Sequence, residues 1–265
     1  MRAADLAEGK RIGAQLGWNQ TLRDWQRLLH YQPNGCFVAV DDDRNVIGTV
    51  TTTSYGTALA WIGMMLVHPE RRRQGIATAL MDQAISYLQS TGVECIKLDA
   101  TPTGKAVYER LGFQSEWMFH RWQGNGLATD ESSWQVSAEA VEIPSSDLTA
   151  FGCDRTQWLQ KVGNDSLVVS RADGFGMARK GAAATYLGPV MATDERAATQ
   201  ILSSLLRCIC GPVYWDIPAP NEDALLTATA FGFQPVRELT RMELGTPLGG
   251  CRVDWQYAIC DPGTG

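Results

Sequence analysis

The amino-acid sequence predicts an α/β fold built from two similar domains in tandem, each a mixed sheet flanked by helices. Apolar strand-like runs alternate with amphipathic helical segments along the chain, as they do in α/β proteins. Short sequence echoes also recur at an offset of about 120–125 residues, so that the second half repeats the order of the first. A length of 265 residues is sufficient for two domains.

In the first half, two helices are followed by alternating strands and helices. The predicted elements are helices near residues 3–16 and 21–31, strands near 36–41, 46–53 and 59–67, a helix at 75–90, a strand at 94–99, a helix at 103–111 and a final hairpin near 113–122. The polar, glycine-rich residues 123–133 form the expected linker. These boundaries predict a first domain at residues 1–126 and a second at 134–265.

The second half repeats this order of elements. Its predicted elements are helical segments near 147–162, strands near 166–171, 175–180 and 184–191, a helix at 194–208, a strand at 212–217, a helix at 221–231 and a closing hairpin. The strand Ala60–Val67 has a counterpart in Thr185–Ala192. A Gly-Phe pair follows later in each half, and Arg121 and Arg241 each stand eight residues after its Phe.

The run Arg71–Ala77, set between an apolar strand and a helix, is the most informative stretch of the chain. A glycine and a small residue where a helix begins allow a diphosphate to approach the backbone, where unpaired N–H groups and the helix dipole bind anions. Arginines just before the helix add charge-assisted hydrogen bonds to phosphate. The alternative for such a basic run is a solvated helix start. The pattern predicts a nucleotide-like cofactor held by its diphosphate.

A second motif follows at the expected separation, where Tyr108 precedes Gly112-Phe113. With this motif and Arg72-x-x-Gly75-x-Ala77, residues 1–122 resemble the GNAT superfamily of N-acetyltransferases. The resemblance implies two mostly antiparallel mixed sheets, acetyl-CoA as co-substrate, no metal, and an acyltransferase that moves the acetyl group to a primary amine by direct attack. It also implies a bulge in the strand before the diphosphate loop, which exposes backbone groups to pantetheine.

The same resemblance assigns roles to individual residues. The cofactor-binding residues that it implies are Met65, Leu66, Val67, Arg72, Arg73, Gln74, Gly75, Ile76, Ala77, Thr78 and Thr101. Thr101 stands where the family commonly has an asparagine. Tyr108 is the expected general acid for the leaving thiolate, with a packed helix aromatic as the alternative.

The general base is open. Asp99, at the carboxyl end of a strand, is one candidate, although a role in helix capping is an alternative for it. Glu116 and His68 are further candidates, and the amine can also lose its proton to water. Acceptor binding is expected at Trp18, Asn19 and Gln20, of which Asn19, like Thr21 after it, has the alternative of capping the next helix.

The second half lacks the cofactor motif. Asp194 and Glu195 stand where a diphosphate would bind, no glycine opens the helix, and Thr227 or Ala228 takes the place of Tyr108. The segments Gly17–Thr21 and Lys97–Pro102 are also similar to a bacterial group of tandem-GNAT acetyltransferases whose second domain is degenerate. The sequence therefore predicts a catalytic first domain and a second domain that no longer binds the cofactor.

Composition narrows the class of protein. Basic and acidic residues balance over residues 1–130, so residues 131–265 carry the whole net charge of −6. This distribution argues against nucleic acid and mildly favours a cationic substrate, with ordinary surface solvation as the alternative. No CxxC spacing indicates a metal, and no apolar run or signal sequence indicates a membrane or secretion. We expect a cytoplasmic monomer or homodimer that acetylates a small-molecule amine or amino acid. The alternatives are acetylation of a peptide or protein N-terminus and a non-catalytic acyl-CoA sensor.

Overall fold

The computed structural model describes residues 1–136 and 141–265 and has the predicted α/β architecture. The first half contains helices α1 (Leu6–Gln15), α2 (Leu22–Tyr31), α3 (Ile76–Ser90) and α4 (Pro102–Arg110) and strands β1 (Cys36–Val40), β2 (Val46–Tyr55), β3 (Leu59–Val67), β4 (Cys95–Ala100) and β5 (Gln114–Asn125). The second half contains helices α5 (Ser145–Phe151), α6 (Thr156–Gly163), α7 (Glu195–Leu206) and α8 (Glu222–Ala230) and strands β6 (Ser166–Arg171), β7 (Gly174–Arg179), β8 (Thr185–Ala192), β9 (Pro212–Pro218), β10 (Gln234–Gly245) and β11 (Gln256–Ala258).

The sheet of the first half is covered on both faces, as its nearly continuous apolar β3 requires. Successive side chains of a strand point to opposite faces, so Leu59 and Trp61 pack with α1 and α2, while Ala60 and Ile62 pack with α3. The same core as Leu59 and Trp61 continues into α5 and α6 of the second half, where Trp158 packs edge-on against Tyr31 of α2 at 5.2 Å between ring centroids. The two halves therefore share one apolar core.

All the strands belong to one sheet, in the order β1-β2-β3-β4-β10-β5-β9-β8-β7-β6, with β11 paired to β8. Only β3–β4 and β8–β9 are parallel, so the sheet is mostly antiparallel. The last long strand of each half lies in the sheet of the other: β10 pairs with β4, and β5 pairs with β9. β5 and β10 pair with each other around Phe119 and Leu239, which are counterparts at the 120-residue offset of the repeat.

Two buried ion pairs join the exchanged strands to the sheets that receive them. Arg241 of β10 donates two hydrogen bonds to Asp99 of β4, at 2.9 and 3.0 Å. Arg121 of β5 donates two to Asp216 of β9, at 2.8 and 2.7 Å. The side chain of Asp99 is 0% exposed and so is that of Asp216. Each half thus supplies the arginine that neutralises a buried carboxylate of the other.

The positions of most elements confirm the predictions, and β3 and β6 begin and end at the predicted residues. The two predicted hairpins are wrong, because residues 114–125 and 234–245 are single strands whose partners lie in the other half. The predicted linker at 123–133 is too early, since residues 123–125 complete β5. None of the helices that the structure describes is long and apolar enough to cross a membrane.

Candidate active site

Strands β3 and β4 diverge to form a wedge at the centre of the first half. They pair only where Leu59–Trp61 meets Cys95–Lys97, and beyond this point the β4-facing edge of β3 has no strand beside it. β3 also bulges here: two residues, Met64 and Met65, lie opposite one residue of β2, and Met64 has a left-handed φ of 50°. The bulge that the family resemblance implied is therefore present.

The start of α3 is a candidate anion-binding site beside this wedge. Gly75 stands before the helix with a φ of 79°, in the left-handed region that favours glycine, and no side chain caps the first turn. The N–H groups of this turn are therefore available to a ligand. They lie in a groove of about 630 Å³ whose walls include Arg71, Arg72 and Arg73. A groove with this charge and these donors suits a diphosphate.

The structure brings the predicted cofactor residues together in this groove. Of the set inferred from the motif, all but Gln74 line it. Thr101 lines it too, and its hydroxyl accepts a hydrogen bond from Gly104 N–H at 3.1 Å where α4 begins. Residues from α4 that the sequence did not indicate complete the opposite wall: Thr103, Gly104, Val107 and Arg110.

A second cavity, of about 140 Å³, opens from the other side of the same wedge, and we call it the acceptor pocket. Its lining from the first half is Trp18, Asn19, Gln20, Ile62, Gly63, Met64, Met65, Leu98, Asp99, Thr101, Tyr108 and Arg121. Its lining from the second half is Arg237, Leu239, Pro262 and Gly263. The pocket is therefore built by both halves, and the sequence alone indicated none of the residues from the second.

Tyr108 lines both the cofactor groove and the acceptor pocket. Its ring packs edge-on against Phe113 at 6.2 Å between centroids, which fixes its place on α4. Among the residues that the structure describes, its hydroxyl has no hydrogen-bond partner. Burial raises the pKa of Tyr108 to about 12, so the phenol is protonated at neutral pH, as a proton donor must be.

The three candidate bases lie in different surroundings. Asp99 lines the acceptor pocket, but both of its carboxylate oxygens accept hydrogen bonds from Arg241. Burial raises the pKa of Asp99 to about 6, because desolvation outweighs the attraction of the guanidinium. Glu116 accepts a hydrogen bond from Lys97 Nζ at 2.6 Å, and neither Glu116 nor His68 lines the acceptor pocket. The predicted role of Asp99 as base stays a prediction, and its geometry favours a structural role.

The three predicted acceptor residues all line the acceptor pocket, yet one of them has another role. Asn19 is buried, its side-chain oxygen accepts hydrogen bonds from Ala183 and Ala184 N–H, and its amide donates to Ala184 C=O. The amide of Asn19 therefore joins the two halves. The cap of α2 is instead Thr21. Trp18 and Gln20 remain half-buried at the pocket.

In the second half, the corresponding wedge between β8 and β9 is filled by the chain itself. β11 pairs with β8, and the next residue, Ile259, donates its N–H to Asp216 C=O of β9 at 3.1 Å. The indole N–H of Trp215 donates to Tyr257 C=O at 2.7 Å. Residues 256–259 thus occupy the place between the diverging strands that stays open in the first half.

The second half also differs from the first at the helix start and at the position of Tyr108. The carboxylate of Asp194 accepts a hydrogen bond from a backbone N–H of the first turn of α7 at 2.8 Å, so that this helix is capped by its own side chain. The Phe233 N–H donates to Ala228 C=O as the Phe113 N–H donates to Tyr108 C=O, which makes Ala228 the counterpart of Tyr108. The methyl group of Ala228 therefore stands where the first half has the phenol of Tyr108.

Comparison with known families agrees with this geometry. Residues 7–113 match the acetyltransferase (GNAT) family, and residues 143–252 match a second acetyltransferase (GNAT) domain family. The chain belongs to the GNAT family of acetyltransferases and carries two such domains in tandem. It is an acyltransferase of this family.

Several relatives share this arrangement. The chain is 25% identical over 237 residues to the uncharacterized N-acetyltransferase YitH of Bacillus subtilis, covering 84% of this chain and 82% of YitH. It superposes on a crystal structure from Pyrococcus horikoshii, described as that of an acetyltransferase, with a TM-score of 0.85 and 25% identity over 100% of this chain and 94% of the other. A tandem GNAT protein of the clavulanic acid pathway shares the fold, with a TM-score of 0.61 at 14% identity over 93% and 98% of the two chains.

Proposed function

We propose that the first half transfers the acetyl group of acetyl-CoA to the primary amine of a small molecule or amino acid, and that the second half shapes the acceptor pocket. The observation that carries this proposal is the place of Tyr108, whose side chain lines both the cofactor groove and the acceptor pocket. The pocket, at about 140 Å³, is smaller than the ~300–1,000 Å³ usual for drug-sized ligands. This size favours a small acceptor.

The residues of the groove fit coenzyme A. The uncapped first turn of α3, beginning after Gly75, and the arginines before it suit a diphosphate, and the open edge of β3 suits the amide groups of pantetheine. When bound, acetyl-CoA supplies an activated thioester. We propose that a backbone N–H group within Met65 to Val67 polarises its carbonyl oxygen.

Two proton transfers then remain: one to the leaving thiolate and one from the acceptor amine. The hydroxyl of Tyr108 supplies a proton to the departing sulfur. The other residues that line both the groove and the pocket are Trp18, Met65 and Thr101, and none of them has a side chain more acidic than an alcohol. The acceptor amine releases its proton to water at the pocket mouth, because both oxygens of Asp99 are held by Arg241. We propose that Asp99 positions Arg241 and β10 rather than acting as the base.

Calorimetric titration should show one acetyl-CoA site per chain. Gly75→Glu should abolish binding, because it places a carboxylate beside the first turn of α3 and strains a left-handed residue. Gly232→Glu is the matched control, since Gly232 has the same φ of 79° and equally open surroundings in the second half. Two equivalent sites, or equal binding by Gly75→Glu and the control, would contradict the cofactor assignment.

A second candidate acceptor is the N-terminal amine of a peptide. A relative named N-alpha-acetyltransferase 30, of Schizosaccharomyces pombe, is 32% identical over 108 residues, which span 38% of this chain and 72% of that protein. Thiol release from acetyl-CoA, measured against a panel of amines, amino acids and short peptides, separates these acceptors. Turnover of peptides alone would overturn the small-molecule proposal. Tight cofactor binding with no turnover of any amine would favour a sensor.

A further inference from the structure

Arg237 is an arginine without a partner at the acceptor pocket. In the pairing of β10 with β5, it lies directly opposite Arg121. The charge of Arg121 is neutralised by Asp216, whereas the part of the chain that the structure describes offers the guanidinium of Arg237 no carboxylate and no hydrogen bond. The next residue, Glu238, is adjacent to His120 instead. Arg237 thus brings to the pocket a positive charge that has no salt bridge among the described residues.

The side chain of Arg237 is exposed to solvent at the edge of the pocket, so a ligand entering the pocket can reach its guanidinium. Like charges directly opposite each other on neighbouring strands destabilise a sheet. Desolvation and the charge of Arg121 lower the pKa of Arg237, and the charge of Asp216 opposes this shift. Departures from such local rules are expected at functional sites. The missing compensation for a guanidinium is an anion.

The other charges of the acceptor pocket cancel. Asp99 is neutralised by Arg241, and Arg121 is neutralised by Asp216. The charge of the pocket lining is therefore positive, although the chain as a whole carries −6. Gln20 adds a half-buried amide whose side chain has no hydrogen bond among the described residues. A guanidinium and an amide in one small pocket are donors suited to a carboxylate.

We propose that Arg237 binds a carboxylate of the acceptor, so that the substrate is an amine that also carries an acid group, as α-amino acids do. This inference rests on the proposed acetyl transfer and names the acceptor class for it. The second half, although it has lost its own cofactor site, then supplies the residue that selects the acceptor. Arg237 is a specificity-determining residue, because the group it holds is not the one that reacts.

The test compares α-amino acids with their carboxamides, which have nearly the same shape but no carboxylate, in a thiol-release assay. Rates are expressed per concentration of unprotonated amine, because the carboxamide also lowers the pKa of the neighbouring amine. The wild-type protein should prefer the acid by roughly ten- to a hundredfold in kcat/KM, the usual worth of a charge-assisted hydrogen bond. Arg237→Gln should remove this preference through KM, with kcat nearly unchanged, and Arg237→Lys should keep part of it. Arg207→Gln, which removes an exposed arginine after α7 in the second half, is the control for net charge and should keep the full preference.

Equal use of acid and carboxamide by the wild type would overturn the proposal, and so would a preference that survives in Arg237→Gln. Failure of the proposed function has a different result, which is no thiol release with any amine. In that case, calorimetric titration of the acid and carboxamide pair decides on Arg237 separately. Binding of the acid alone that is lost in Arg237→Gln supports the carboxylate site, and equal binding of both compounds refutes it.

Discussion

Replacing Tyr108 by phenylalanine should lower kcat by roughly 10²–10⁴-fold, the usual contribution of a positioned proton donor. The change removes one hydroxyl and leaves the ring packed against Phe113. Affinity for acetyl-CoA should hardly change, because the diphosphate site lies at the start of α3. KM should also hold, since the proton is needed only as the thiolate leaves.

Steady-state kinetics and calorimetry on the same preparation check this expectation. Tyr31→Phe is the matched control: its hydroxyl donates to Ser54 C=O at 3.2 Å, and it lines neither the groove nor the acceptor pocket. The control should keep full kcat. If Tyr108→Phe also turns over at the wild-type rate, water supplies the proton and Tyr108 is a packing residue.

Arg241→Met should destabilise the protein by about 3–5 kcal/mol at pH 8, since removing one partner of a buried ion pair leaves an uncompensated charge. The side chain of Arg241 is 3% exposed, and its guanidinium pairs with Asp99. The Cζ atom of Arg241 lies 4.4 Å from the ring centroid of Trp61 and 4.3 Å from that of Trp117. The double variant with Asp99→Asn should recover part of this loss. Urea unfolding measures all three proteins.

The loss in Arg241→Met should depend on pH with a definite sign. The pKa of Asp99 in the folded protein is about 6, against 3.8 for an ordinary aspartate, so the folded state binds more protons between these values and stability falls as pH rises through them. Without Arg241 the folded pKa rises further, and the fall continues to higher pH. The free energies of unfolding of wild type and variant therefore change in parallel below about pH 6. Above this pH, the difference between the two free energies increases. An equal gap at pH 5.5 and pH 8 would show that Asp99 is not the group left uncompensated.

The elements of this fold could be predicted from the sequence because their patterns are local. The limits of β3 follow from an apolar run between turn residues, and the start of α3 follows from its glycine and arginines. The exchange of β5 and β10 could not be predicted in this way, because a strand shows the same alternation of side chains whichever strand it pairs with. The matching positions of Arg121 and Arg241 follow from the repeat, but their pairing with Asp216 and Asp99 depends on the strand exchange.

In the candidate site, too, residues that are close together in the chain could be predicted and residues that are distant in the chain could not. One wall of the cofactor groove, from Met65 to Thr78, can be predicted because its residues are neighbours in the chain, whereas the wall from α4 cannot. The far wall of the acceptor pocket comes from residues more than a hundred positions away, Arg237 and Gly263 among them. The net negative charge of the second half pointed to a cationic acceptor, whereas the local arrangement of ion pairs gives the pocket the opposite sign.

The segment that fills the second wedge has a consequence for how this molecule can change. After Ile259 the same backbone continues to Pro262 and Gly263, which form part of the acceptor pocket, and it passes so close to Gly63 of β3 that a methyl group on Gly63 would overlap the Gly263 carbonyl. The segment that fills the wedge of the second half is thus continuous with the residues that line the acceptor pocket of the first half. Substitutions at Pro262 and Gly263 change the lining of the acceptor pocket directly, whereas none of residues 256–263 lines the cofactor groove. Substitutions that select a new acceptor and residues that retain the cofactor therefore lie in separate parts of one chain.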